Sequence, residues 1–290
     1  MIGRLRLGIL CLCVATLFAV APALAQGAGQ AANRKITKIA GDLYRFQNNF
    51  HFSVFLVTPE GVIVTDPINA AAAQWLKAEI AREFNRPIKY VVLSHDHADH
   101  ISGGEVFADT ATVVAHVNAR RDIVEEKRPT AVPQITFDET MTIHLGGKTV
   151  ELAYVGKNHS DNSIVMRFPG ERVLFAVDFI PVKTVGFRDF PDGYIAEWIE
   201  SLKRVEAMDF DILAPGHGPL GAKADVTAYR EYMQDLWDGV QAGIRAGRSL
   251  DQIKQEVTLE KYKDWTQYKD FLALNIEGMH RYLSNYRRPN

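Results

Sequence analysis

Short apolar runs separated by turn residues fill the first part of the chain, and this pattern predicts β-strands. Turn signals occur at Gly41-Asp42, at Asn48-Asn49 and around Gly61. Because so few residues connect successive runs, we expect neighbouring strands to pair antiparallel. The predicted strands are residues 36–39, 43–47, 53–58 and 61–66.

Apolar residues at helical spacing begin at residue 70 and predict an amphipathic helix over residues 70–84, which ends before Pro87. The pattern then predicts a buried strand at 89–93, a strand at 112–117 and a helix at 118–126 with Asn118 as its cap. Residues 127–137 contain two prolines and are typical of an irregular loop.

The second half of the chain repeats this arrangement. Strands are predicted at residues 141–145, 148–154, 163–168, 172–177 and 211–213, and a helix at 194–208. Two β-rich halves, each accompanied by helices, predict an α/β fold in which two sheets pack face to face with helices outside.

Residues 222–290 are predicted to form a C-terminal helical extension, with a capping box that begins at Ser249. We favour packing of its apolar stripes on the same domain; a role in shaping the substrate mouth, or a dimer contact, is the alternative. The stripes comprise Tyr229, Met233, Leu236 and Val240, followed by Trp265, Tyr268, Leu272, Met279 and Leu283.

Residues 1–25 have the features of a bacterial-type signal peptide. Arg4 and Arg6 precede an apolar run, and the run ends in a small-x-small cleavage site before Gln26. The apolar run is shorter than the roughly 20 residues that a spanning helix needs, which disfavours a membrane anchor. We therefore expect a periplasmic or secreted protein with no membrane span after cleavage. Residues 26–33 are predicted to be disordered.

Cleavage would remove both cysteines of the chain, so no thiolate would be available to bind a metal in the mature protein. It would also leave 31 basic residues against 35 acidic ones, a net charge of about −4. There is therefore no basic excess to suggest that the protein binds nucleic acid. We expect a small-molecule substrate, and the sequence leaves the oligomeric state open.

The densest group of candidate metal ligands follows the predicted strand at 89–93. His95, His97, Asp99 and His100 lie within a few residues of one another, where loops of α/β proteins place their chemistry. Alternate loop residues project to the same side, so His95 and His97 can bind one ion while Asp99 and His100 face another.

Two ions need more ligands than this loop supplies. His159 lies in a turn-like segment before a predicted strand, and Asp178 follows the strand at 172–177. His217 lies in a Gly/Pro-rich loop after the strand at 211–213. Asp178 and His217 thus lie at the C-terminal ends of predicted strands, as the loop at 95–100 does.

Together these motifs resemble the metallo-β-lactamase superfamily. They are His-x-His-x-Asp-His at 95–100, Gly-x-x-His-Ser-x-Asn at 156–162, an aspartate after a strand, and Pro-Gly-His-Gly at 215–218. The resemblance implies a four-layer αβ/βα sandwich of two mixed sheets over residues 34–221, with two Zn²⁺ per chain. It implies one metal on His95, His97 and His159, a second on Asp99, His100 and His217, and Asp178 as the bridge.

The expected reaction is hydrolysis by a zinc-bound hydroxide. Asp99 is the candidate catalytic residue, because it is close to the nucleophile and can relay a proton to the leaving group. The sequence around His159 resembles the lactamase branch, whereas an aspartate at the bridging position resembles glyoxalase II and the lactonases. We therefore expect cleavage of a lactone, a thioester or a related ester, with weak β-lactam hydrolysis.

The alternatives are a true metallo-β-lactamase, a mononuclear iron dioxygenase of the persulfide-dioxygenase type, and a non-catalytic binding module. The complete ligand set argues against the last two. Lys183 resembles the carboxylate-binding lysine of the lactamases, displaced along the chain, and the alternative interpretation is an exposed loop lysine. His51 is a second candidate substrate contact. Asp66 resembles the carboxylate that braces the metal loop in this family.

Overall fold

The computed structural model describes residues 32–285, and this part of the chain contains a seven-stranded and a six-stranded β-sheet. The seven strands of the first sheet follow one another in sequence order. Strands β1 to β4 pair antiparallel and β4 to β7 pair parallel. Their bounds are β1 Arg34–Ala40, β2 Leu43–Asn48, β3 His51–Thr58, β4 Gly61–Thr65, β5 Ile88–Val92, β6 Thr112–His116 and β7 Ile135–Phe137.

The second sheet has the order β13-β12-β11-β10-β9-β8, in which β11 and β12 are parallel and the other pairs antiparallel. Both sheets are therefore mixed. The strands of the second sheet are β8 Thr140–Leu145, β9 Lys148–Tyr154, β10 Ile164–Phe168, β11 Val173–Ala176, β12 Ile212–Ala214 and β13 Gly221–Ala222.

The helices lie on the outer faces of the two sheets. Single turns of 3₁₀ helix occur at Gly104–Val106 and Glu260–Tyr262. The α-helices are α1 Ala70–Phe84, α2 Ala98–Ile101, α3 Val117–Glu125, α4 Ile195–Glu206, α5 Lys223–Arg245, α6 Leu250–Glu256 and α7 Tyr268–Asn285.

Alternating side chains of the strands divide the core into layers. In β4, Ile63 points into the cluster between the two sheets, whereas Val62 and Val64 belong to the cluster under α1 and α3. A third cluster joins the outer face of the second sheet to α4, α5, α6 and α7. The predicted α/β sandwich with two mixed sheets, outer helices and a helical C-terminal part is thus confirmed.

The C-terminal helices pack on the second sheet, as their apolar stripes predict. Tyr229, Met233 and Leu236 of α5 are buried in the same cluster as Leu174 of β11 and Met279 of α7. The predicted capping box also forms, since Ser249 and Gln252 exchange hydrogen bonds at the start of α6.

Three local predictions need correction. The cap of α3 is His116, whose Nδ1 accepts from the backbone N–H of Asn118 at 3.3 Å, so Asn118 is already inside the helix. The predicted loop at 127–137 ends in β7, a short edge strand whose exposed residues hide its pattern. Asn33, at the end of the segment predicted to be disordered, exchanges hydrogen bonds with Asn49.

The predicted signal peptide lies outside the described residues. Among residues 32–285, no helix combines the length and apolar character needed to cross a membrane.

Candidate metal centre

The predicted metal ligands meet at one edge of the two sheets. The loop that carries His95 to His100 follows β5, Asp178 follows β11, and His217 follows β12. Strands β11 and β12 are neighbouring parallel strands of the second sheet and β5 belongs to the first, so the two sheets together bring in ligands that are far apart in sequence. The ligands form two groups, and within each group one ligand atom of each residue lies within 4.8 Å of those of the other residues.

The first group consists of His95, His97, His159 and Asp178. The imidazole rings of the three histidines are 4.5 to 4.9 Å apart between centroids. The Nε2 atoms of His95 and His159 are buried, and within the described part of the chain they have no hydrogen-bond partner. Buried polar atoms are normally paired, so these two nitrogens fit a cation in the space they face.

The second group consists of Asp99, His100, His217 and again Asp178. The Nε2 atoms of His100 and His217 are 3.1 Å apart. Asp99 Oδ2 lies 3.5 Å from His100 Nε2 and 3.7 Å from His217 Nε2. Two imidazole nitrogens and two carboxylates facing one point form a donor set suited to a divalent ion.

Asp178 is the residue that the two groups share. Its Oδ2 lies 3.1 Å from His100 Nε2 and 3.5 Å from His95 Nε2, and its Oδ1 lies 3.3 Å from His217 Nε2. Asp178 has a positive φ of 65°. Aspartate adopts this conformation more readily than most residues, and such local strain is common at functional sites.

Hydrogen bonds on the far side of the rings orient three of the histidines. The Nδ1 atoms of His95, His159 and His217 pair with Ser94 Oγ at 2.8 Å, Asn158 Oδ1 at 3.1 Å and the carbonyl oxygen of Phe50 at 3.0 Å. Partners of this kind fix the tautomer and turn Nε2 towards the metal position.

Asp66 braces the metal loop, as the sequence predicts. Its buried carboxylate accepts hydrogen bonds from the backbone N–H of Ser94 at 2.8 Å and from Ser94 Oγ at 2.7 Å, and its Oδ2 lies 3.8 Å from His100 Nδ1. Burial raises the pKa of Asp66 to about 6.

Burial also acts on the ligands themselves. It holds the pKa of His95 well below its ordinary value and lowers the pKa of His159 to about 3, so both imidazoles are neutral. Burial by itself would raise the pKa of Asp178, but the neighbouring imidazoles, His100 first, hold it well below its usual range. Neutral imidazoles and an ionised carboxylate are the forms that bind metal ions.

His100 shows that the site favours positive charge. Burial opposes protonation of its ring, but the carboxylates around it, Asp178 first, raise the pKa of His100 to about 9. A cation at this position would supply the same charge. The donor set, the unpaired nitrogens and the local charge therefore all fit metal ions.

Two polar residues that hold the site, Arg45 and Asp96, were not predicted. Arg45 donates through Nη2 to the carbonyl oxygens of Pro215 and Gly218 at 3.0 and 2.8 Å, on either side of His217. Asp96 accepts from Arg128 and Asn162, both at 2.9 Å, which ties the metal loop to two other segments. No local sequence signal identifies these contacts, since the partners are 32 to 173 residues apart.

The two candidate substrate contacts differ in position. His51 lies beside the second ligand group, where its Nε2 is 3.2 Å from Asp99 Oδ2 and its ring is 4.7 Å from that of His217. Lys183 is exposed, and it is absent from the lining of the adjacent cavity although Pro181 and Thr184 contribute to it. The geometry gives the prediction for Lys183 no support.

A cavity of about 860 Å³ opens beside the metal ligands, and His97, His159 and Asp178 form part of its wall. This volume suits a ligand of drug size. Residues 180–193, here called the cavity loop, contribute more of the remaining wall than any other segment. Its apolar lining includes Ile180, Val185, Phe187 and Phe190.

The C-terminal helices also shape this cavity, which was the less favoured alternative from sequence. Tyr229, Thr266 and Gln267 line it directly. Thr266 also forms a β-bridge with Thr184 of the cavity loop. A Cβ added at Gly278 of α7 would lie 2.1 Å from the carbonyl oxygen of Asp189, so glycine permits the close approach of helix and loop.

Comparison with known proteins identifies the superfamily to which the protein belongs. The sequence profile of the metallo-beta-lactamase superfamily matches residues 48–217, more than half of the chain, and the protein belongs to this superfamily. The match extends from the end of β2 to His217 and so contains the whole ligand set.

Individual relatives are distant. The chain is 25% identical over 232 residues to 2,4-dinitroanisole O-demethylase subunit alpha of Nocardioides sp. (strain JS1661), covering 74% of this chain and 69% of that protein. It is 25% identical over 172 residues to metallo-beta-lactamase type 2 of Bacillus cereus, covering 57% of this chain and 66% of that protein.

Solved structures agree on the fold. A metallo-beta-lactamase from Pontibacter korlensis superposes with a TM-score of 0.64 at 21% identity, over 70% of this chain and 99% of that one. One from Hirschia baltica gives a TM-score of 0.61 at 16% identity, over 69% and 97% of the two chains.

Proposed function

We propose that the protein is a hydrolase that binds two zinc ions and cleaves an ester-type bond, such as a lactone or thioester, with weaker hydrolysis of β-lactams. The observation that carries the proposal is the membership of Asp178 in both ligand groups, because one carboxylate can bridge two cations. Five of the seven ligands are imidazoles, which suit zinc better than magnesium or calcium. When bound, a zinc pair lowers the pKa of water towards neutrality and supplies a hydroxide nucleophile.

Asp99 is the residue to which we assign proton transfer. Its side chain is 51% exposed at the edge of the cavity, whereas Asp178 is 15% exposed, so Asp99 is the carboxylate that substrate reaches. Burial opposes ionisation of Asp99, but hydrogen bonds from His217 and His51 lower its pKa strongly and keep it ionised. An ionised Oδ2 can orient the attacking water and pass its proton to the leaving group.

Three features favour an ester over a β-lactam. The bridging residue is an aspartate, and Lys183, the candidate partner for a lactam carboxylate, lies outside the cavity lining. No asparagine occurs at residues 179–201 to make a second polar contact. An ester has a better leaving group than an amide, so it tolerates a site with fewer positioning contacts.

The names of the relatives denote reactions at more than one kind of bond. The name of the Nocardioides protein denotes removal of a methyl group from an aromatic ether oxygen, and the Bacillus protein is named as a β-lactamase. A true β-lactamase therefore remains the second candidate. The mononuclear iron dioxygenase is disfavoured because the second ligand group is complete.

A substrate comparison tests this assignment. Steady-state constants are measured for the zinc-loaded mature protein on a γ-lactone, a thioester and a cephalosporin. We expect kcat/KM to be highest for the lactone or the thioester. A preference for the cephalosporin would make the protein a β-lactamase, and iron as the metal retained during purification would favour the dioxygenase.

The proposed location is the periplasm or the extracellular medium, and it rests on the predicted signal peptide at residues 1–25. The intact mass of protein recovered from the periplasm should correspond to a chain that begins at Gln26. Recovery of the uncleaved chain from the cytoplasm would contradict this location.

A further inference from the structure

Tyr229 is a buried tyrosine whose hydroxyl has no hydrogen-bond partner among residues 32–285. Its side chain is 1% exposed. Two neighbouring tyrosines are different: Tyr232 donates to Asn275 Oδ1, and Tyr262 donates to Asp235 Oδ2 at 2.6 Å. Burying an unpaired hydroxyl is unfavourable for folding, and each such group in a protein calls for an explanation.

The position of Tyr229 supplies that explanation. It lines the cavity whose wall also contains His159 and Asp178. Ring contacts connect it to the metal ligands, since the rings of His159 and Trp198 are 6.1 Å apart and those of Trp198 and Tyr229 are 6.3 Å apart. Phe187, on the same cavity, is 61% exposed, whereas Tyr229 is 1% exposed and belongs to the buried part of the wall.

The surroundings of Tyr229 define what the cavity can hold. Ile180, Val185, Phe190 and Trp198 present apolar surface beside it. Trp198 already donates its Nε1–H to the carbonyl oxygen of Phe179 at 2.9 Å, so this polar group is occupied. Burial raises the pKa of the Tyr229 hydroxyl, which therefore stays protonated and able to donate.

We propose that Tyr229 is a specificity-determining residue, and that its hydroxyl donates a hydrogen bond to a polar atom within the otherwise apolar body of the substrate. The substrate class is then an ester or thioester whose acyl portion is extended, apolar and interrupted by one acceptor, such as a keto or ether oxygen. This inference rests on the proposed hydrolase function, because the reacting bond must lie at the metal ligands while the acyl portion fills the cavity.

The energetic reason for such a residue is discrimination. A site that hydrogen-bonds a substrate atom rejects the analogue that lacks this atom, because the buried group is then left unpaired. An apolar wall alone distinguishes ligands by size only. Tyr229 belongs to α5, beyond the residues that match the superfamily profile, so the C-terminal helices would give this chain its own selectivity.

Thermal unfolding provides a test that does not depend on activity. Tyr229→Phe removes an unpaired buried hydroxyl and keeps the ring, so we expect an unchanged or higher Tm, both with zinc and after its removal by a chelator. Tyr90→Phe, on β5 and outside the cavity lining, is the matched control. A lower Tm specific to Tyr229→Phe would mean that the hydroxyl serves the fold, which would overturn the proposal.

Ligand binding provides the decisive test. The probes are octanoate and its 5-, 6- and 7-oxo derivatives, carboxylates that stand for hydrolysis products, and their Kd values for zinc-loaded protein are measured by calorimetry. We expect one oxo position to bind roughly 2- to 10-fold tighter than octanoate in the wild type, on the scale of one hydrogen bond. Tyr229→Phe should lose this preference, and Tyr90→Phe should keep it.

Two results would overturn the proposal: no oxo derivative binds tighter than octanoate, or Tyr229→Phe keeps the wild-type preference. Failure of the hydrolase assignment is a separate result. A protein that shows the Tyr229-dependent preference but cleaves no ester would refute the hydrolase assignment alone, whereas ester cleavage without the preference would refute only the role of Tyr229.

Discussion

The side-chain amide of Asn275, on α7, donates a hydrogen bond of 2.8 Å to the carbonyl oxygen of Gly186 in the cavity loop. The same buried amide also donates to the carbonyl oxygen of Arg188 and accepts from Tyr232. One residue of the C-terminal helices thus satisfies two carbonyl groups of a loop that borders the metal ligands. The helices therefore fix the shape of the cavity as well as covering the sheet.

Asn275→Ala should loosen the cavity loop. Loss of the amide leaves buried carbonyl groups unpaired, and we expect the free energy of unfolding to fall by about 1–3 kcal/mol. KM for ester substrates should rise while bound zinc stays unchanged, because the ligands lie on other segments. Lys269→Ala, exposed on the same helix, is the control. Loss of bound zinc in Asn275→Ala would contradict the expectation that Asn275 supports the cavity loop and not the metal ligands.

Arg45 should control the second ligand group through the loop of His217. Its guanidinium is buried and also lies 3.7 Å above the ring of Phe52. We expect Arg45→Met to weaken binding of one of the two zinc ions roughly 10- to 100-fold, the effect typical of residues that orient ligands. Competition with a chromogenic chelator measures this affinity. The control is Arg172→Met, because Arg172 precedes β11 at the strand end away from Asp178, and this variant should bind zinc normally. A zinc affinity of Arg45→Met equal to that of Arg172→Met would exclude a role for Arg45.

Asp99 is predicted to contribute more to turnover than to metal binding. Asp99→Asn keeps the size of the side chain and an oxygen ligand but removes its capacity to accept a proton. We expect kcat to fall by roughly two to four orders of magnitude, on the scale of general acid–base catalysis, with most zinc retained. Asp109→Asn, at an exposed ion pair with Lys77, serves as the control. Near-normal kcat in a zinc-loaded Asp99→Asn protein would remove Asp99 from the mechanism.

The identity of residue 178 is predicted to set the preference between esters and β-lactams. A thiolate binds zinc at about 2.3 Å through one soft atom, whereas the carboxylate offers two hard oxygens. Asp178→Cys should therefore change the geometry of the centre and shift the ratio of kcat/KM towards a cephalosporin over a lactone, even though total activity falls. The control for loss of charge is Asp178→Asn, because asparagine also tolerates the positive φ at this position. An unchanged ratio in Asp178→Cys would show that other residues select the substrate.

Sequence and structure agree where the signals are local. Six of the seven metal ligands follow an apolar run that ends in a strand, and His159 lies in the loop before β10, so their elements could be predicted from local patterns. Arg45 and Asn275 could not be identified this way, because their roles depend on contacts across 170 and 89 residues. Tyr229 was predicted as part of a buried stripe, which is correct, but its unpaired hydroxyl becomes visible only when every possible partner has been placed.

The central claim is that the chain holds two zinc ions on ligands that share Asp178. Native mass spectrometry of the mature protein at saturating zinc tests it most directly. The account predicts two zinc ions per chain, and about one in His95→Ala and in His217→Ala, which each remove a ligand from a different group. A wild-type protein that holds one zinc ion at saturation, or a His217→Ala protein that still holds two, would contradict it.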